Sequence, residues 1–88
     1  MKNEWRPEER IRSKGQVTVI AGGQERLAAE VYDISQSGIS LLLERAFDPG
    51  TRVQVETGHL AAEGVVVDCA VRGNQHCVGI AFDPPTAA

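Results

Sequence analysis

Two short clusters in this chain combine residue types that can do chemistry: Arg6-Pro-Glu-Glu-Arg10, an RxxxR, and Asp33-Ile-Ser35-Gln-Ser-Gly38, a DxSxxG. A guanidinium carries a planar fork of donors that meets a phosphate, or any edge with two adjacent acceptors, through paired hydrogen bonds. The second cluster supplies the opposite polarity, with carboxylate acceptors from Asp33 and a hydroxyl from Ser35. Each cluster also has an ordinary reading. Arg6 and Arg10 can be solvated charges at a frayed terminus beside Glu8 and Glu9, while Asp33 and Ser35 can cap N–H groups of a turn in which Gly38 takes a positive φ. Arg12 is an auxiliary candidate, as a phosphate contact or as a solvated charge. Trp5 is another, able to stack on a planar ligand or to dock the segment around it.

Nothing in the sequence suggests catalysis. No carboxylate, serine or cysteine is spaced to form an activated nucleophile with His59 or His76, so the chain is not expected to be an enzyme. The two cysteines, Cys69 and Cys77, belong to no CxxC or zinc-spaced array. Reduced thiols, no metal and no cofactor are expected.

The elements that position these clusters must be few, because 88 residues and 9.5 kDa allow one core. The net charge of −3 gives no global basic field, which argues against nucleic acid as a partner. Charge is unevenly placed, however. Residues 1–14 hold five basic and three acidic side chains, a net +2, whereas the remainder holds four arginines and nine acids, a net −5. With Pro7 inside it and no apolar periodicity, that first segment, 1–14, reads as an exposed, flexible arm rather than a packed helix, of a kind that often binds something. No apolar run approaches the ~20 residues of a spanning helix and no leader is evident, so a cytoplasmic protein without membrane insertion is expected.

From residue 15 the pattern turns to period two with β-branched residues: 16–20, 27–34, 39–43, 52–56, 63–72 and 76–82, each bounded by turn residues. This is the signature of an antiparallel meander or small barrel over 15–83, and the prolines of 84–88 mark a disordered tail. The last two strands can be registered. Val65, Val67, Cys69 and Val71 are odd-numbered, Val78, Ile80 and Phe82 even, and both sets must face one core, so paired indices must have an odd sum. A two-residue Gly73-Asn74 turn satisfies this, pairing Arg72 with Gln75 and Cys69 with Val78, with glycine first as a type II′ turn requires. Cys69 then points inward and Cys77 outward, which rules against a disulfide between them. The expected core is Val17, Val19, Val31, Ile39, Leu41, Val53, Val55, Val65, Val67, Ile80 and Phe82.

RxxxR followed by DxSxxG, in this order and within a short β-rich chain, resembles the PilZ domain family, the bacterial receptor domains for cyclic di-GMP. The likeness extends to Val31-Tyr-Asp-Ile-Ser-Gln-Ser-Gly-Ile-Ser-Leu, to Asp48-Pro-Gly-Thr-Arg-Val and to Cys77-Val-Gly79-Ile-Ala-Phe. It implies a six-stranded antiparallel β-barrel with the exposed N-terminal arm lying across its outside. It also implies ligand contacts from Arg6, Arg10, Asp33, Ser35 and Gly38. Guanine suits them: its O6 and N7 acceptors match a guanidinium fork, and its N1 and N2 donors call for a carboxylate such as Asp33. Many relatives carry a further arginine just before RxxxR. Trp5 stands there instead, which points to one ligand molecule rather than two.

The expected function is a stand-alone, non-enzymatic cyclic di-GMP receptor and adaptor. Binding would order the arm and present a new surface to an effector protein that the sequence does not identify. The alternative is a PilZ-like protein-interaction module that does not bind nucleotide.

Overall fold

Alternation of small β-branched residues with polar ones turns nearly every segment after the basic arm into a strand. The computed structural model describes residues 11–58 and 60–83; the tail 84–88 and His59 lie outside them. Seven strands are formed: β1 (Ile11–Arg12), β2 (Gln16–Ala21), β3 (Glu25–Ile34), β4 (Gly38–Leu43), β5 (Arg52–Thr57), β6 (Leu60–Arg72) and β7 (Gln75–Phe82). All pairings are antiparallel. The sheet runs β3-β2-β5-β6-β7-β4, and β4 returns to pair with β3, closing a six-stranded barrel. The expected fold class is therefore the observed one, with β1 as a seventh, two-residue strand added on β3. Among the described residues no helix is long and apolar enough to cross a membrane.

The barrel interior is lined by Val17, Val19, Ala29, Ile39, Leu41, Leu43, Val53, Val55, Val66, Val78 and Ile80, with Val31, Cys69 and Phe82 packed against them. Each fully buried aliphatic side chain of this set contributes about 1.5–3 kcal/mol. Phe47, in the loop after β4, is buried with them and closes the core from outside the strand pattern, which is why alternation does not reveal it.

The β6–β7 hairpin has the expected register at its tip, Arg72 opposite Gln75 and Cys69 opposite Val78. Gly73 has φ 65° and Asn74 has no positive φ, as a type II′ turn requires. The register then slips between Val66 and Asp68, with Val66 opposite Ile80. Val67 is thus the extra residue of a β-bulge, and inward positions change parity across it. This corrects the expected core: Val66 is 1% exposed, whereas Val67 is 52% exposed and Val71, at the hairpin tip, 74%. Val65 is only half-buried. A second bulge lies in β3, where the register to β4 slips between Val31 and Asp33 and leaves Tyr32 as the extra residue.

Candidate functional site on the outer face

The Tyr32 bulge decides what the DxSxxG cluster can reach. Beyond it, Asp33 is opposite Ser40 of β4 on one side and opposite Arg12 of β1 on the other. Ser35 opens the turn into β4, its N–H donating to the Gly38 carbonyl at 2.9 Å and its Oγ to the same oxygen at 3.5 Å. The Ser35 hydroxyl thus faces a carbonyl of the turn, where a capping serine would face an N–H group, and it stands just beyond the end of β3. Asp33, Ser35, Gly38 and Arg12 come together at one end of β3. Arg6, Arg10 and Trp5 lie outside the described residues. What is described is that β1 brings the chain from Ile11 onward alongside Ile34 and Asp33.

Gly38 is needed for a reason other than the expected one. Its φ is not positive. A Cβ at this position would stand 2.5 Å from the Ile80 carbonyl oxygen, a backbone atom of β7. The close approach comes from the neighbouring strand, and the Phe82 N–H donating to the Ser37 carbonyl at 2.8 Å holds the turn against that strand.

The outer face beside this turn carries a row across four strands: Asp33, Ser40, Gly79 and Asp68 are successive partners on β3, β4, β7 and β6. Gly79 is buried beneath Asp68, whose Oδ1 would lie 2.6 Å from a Cβ there. A shallow concavity of about 360 Å³ follows, lined by Ser37, Gly38, Ser40, Asp68 and Gly79 among others.

Tyr32 lies next to this row. Its ring has the Arg12 guanidinium 4.0 Å and the Arg72 guanidinium 4.7 Å from its centroid. Arg12 Nε donates to the Tyr32 carbonyl at 3.1 Å, and Arg72 Nη2 donates to the Tyr32 hydroxyl at 2.9 Å. Cys77, outward on β7, is half-buried, and that burial pushes its thiol pKa up; Arg72 works against the shift, while Asp33, Asp68 and Cys69 add to it. Cys69 and Cys77 are both free thiols. Among the described residues no group of His, Cys, Asp and Glu could hold a metal ion.

Sequence pattern does not point to Tyr32, Asp68 or Arg72. Arg72 is legible as an outward residue of the last hairpin, but its meeting with Tyr32 depends on β4 joining β3 to β7, a closure that local pattern does not encode.

The comparisons with known proteins agree with this architecture. The family model described as PilZ domain matches residues 4–88. Among solved structures, the chain is similar to the PilZ domain with c-di-GMP of YcgR from Escherichia coli, with a TM-score of 0.68 and 18% sequence identity, covering 88% of this chain and 76% of that one. No curated protein sequence matches.

Proposed function

The chain belongs to the PilZ domain family, and from that premise we propose that it is a cyclic di-GMP receptor that works without catalysis. The observation that carries this reading is the family match over residues 4–88, which contains both RxxxR and DxSxxG, joined to a fold that sets Asp33 and Ser35 on the rim beside the incoming chain. In this reading Arg6 and Arg10 engage the O6 and N7 edge of guanine or a phosphate, and Asp33 accepts from guanine N1 and N2. Ser35 bonds the base or a phosphate, Gly38 keeps the turn close, and Trp5 and Arg12 are auxiliary contacts. Ligand binding orders the arm that precedes β1 against the barrel, whereas Ile11 and Arg12 are already paired with β3, and this ordering consumes part of the interaction energy. The covered face then becomes a surface for an effector protein.

Isothermal titration of cyclic di-GMP into the chain, with Arg10→Ala and Asp33→Ala beside it, tests this. Saturable binding that both variants lose is expected. A folded wild-type chain that gives no heat would overturn the receptor reading in favour of a family member that engages a protein without nucleotide.

A further inference from the structure

Five arginines fall among the described residues, and they divide into two kinds. Arg26 pairs with Glu56, Arg45 with Glu25, and Arg52 with Asp83 and Glu63. Among the described residues Arg12 and Arg72 have no carboxylate partner of this kind; both rest on Tyr32. Among the described residues each gives Tyr32 one hydrogen bond, through one of the five donors of its fork.

Two guanidiniums drawn to one ring repel each other, and the attraction of each for the ring offsets this only in part. An anion shared between them removes that repulsion. The pair is also fixed in advance, since bulge, ring and hydroxyl hold both side chains in place, which lowers the entropic cost of binding.

Their setting identifies the anion. Arg12 is the cross-strand partner of Asp33, and Tyr32 precedes Asp33 in the chain, so the Asp33 carboxylate and the two guanidiniums lie along one strip of the outer face. A ligand suited to this strip carries donor edges and negative charge together, as a guanine nucleotide does. We propose that Arg72, from the hairpin between β6 and β7, is a phosphate-contacting residue of the nucleotide site, preset beside Arg12 by the Tyr32 ring, an inference that rests on the receptor reading above. Tyr32 is then a positioning residue.

The test is titration of cyclic di-GMP into the full chain and its Arg72→Ala, Arg72→Lys, Tyr32→Phe and Arg10→Ala variants, each checked for folding by thermal melting. The ³¹P spectrum of each saturated complex is recorded as well. Arg72→Ala is expected to weaken binding about 10- to 100-fold, with Arg72→Lys between it and wild type because the charge stays and the fork is lost. Tyr32→Phe, which keeps the ring, is expected to weaken binding less than Arg72→Ala. The two phosphodiesters of the free ligand are equivalent and give one ³¹P resonance. The wild-type complex should displace at least one of them, and the saturated Arg72→Ala complex should leave it near its free position, a change that a purely structural arginine would not produce. Unchanged affinity and an unchanged ³¹P spectrum in folded Arg72→Ala, while Arg10→Ala abolishes binding, would remove Arg72 from the site and leave the receptor reading standing. Absence of binding by the wild-type chain would remove both.

Discussion

Tyr32 and Arg72 sit on β3 and β6, with β4 and β7 between them, yet Arg72 Nη2 donates to the Tyr32 hydroxyl at 2.9 Å. Three strand spacings are about 14 Å of sheet, so the two side chains lie along the outer wall and meet over the intervening strands. Tyr32→Phe should therefore destabilise the fold by about 0.5–1.5 kcal/mol. In Arg72→Ala, which removes the donor, the same change should cost clearly less. Urea denaturation of the two single variants and the double variant measures this coupling, and strictly additive costs would show that the bridge contributes nothing in solution.

Gly38 and Gly79 should respond differently to a methyl group. At Gly38 the added Cβ meets the Ile80 carbonyl, which can move only with β7, whereas at Gly79 it meets the end of the Asp68 side chain. Gly38→Ala is expected to cost about 1–3 kcal/mol. Gly79→Ala should cost less than Gly38→Ala, and Asp68→Ala should relieve most of what remains. Denaturation midpoints give the ranking, and the reverse order would contradict the close approach of β4 to β7.

The Val67 bulge makes a prediction about neighbours. Val66→Ala empties part of the core and should cost about 2 kcal/mol, while Val67→Ala, at an exposed position, should fall within about 0.5 kcal/mol of wild type. Equal costs would mean that the register continues through Val67 unbroken.

Cys77 provides a readout of the outer face. Because burial raises its thiol pKa, the thiolate fraction near neutral pH is below that of an unperturbed cysteine, and alkylation should accelerate only at correspondingly higher pH. In a Cys69→Ala background, Arg72→Ala should move the rate profile further up, since a nearby positive charge is lost. Asp33→Asn should move it down. A downward shift in Arg72→Ala would mean that the guanidinium acts on Cys77 chiefly as a cover rather than as a charge.

Much of this molecule can be read from residue order. Strict alternation places Val17 and Val19, Ile39 and Leu41, and Val53 and Val55 inside without further information. The run Val65-Val66-Val67 has no alternation, so nothing local shows that parity changes there, and alternation alone assigns the wrong two valines to the core. Asp33 and Ser35 stand out by spacing because the end of β3 and the turn that follows it are contiguous in sequence. Gly38 is the right residue for another reason, since its constraint is a backbone atom 42 positions away. Arg72 and Tyr32 are 40 residues apart and become neighbours only when the barrel closes.

The tie between the turn and β7 has a mechanical meaning. Ser37 takes the N–H of Phe82, and the next residue, Asp83, donates its N–H to the Glu63 carbonyl at 2.9 Å and pairs with Arg52. The point at which the chain leaves the barrel is therefore clamped on both sides, with one hydrogen bond separating it from the DxSxxG loop. Any displacement of that loop therefore bears directly on the hydrogen bond that holds Phe82, one residue before Asp83.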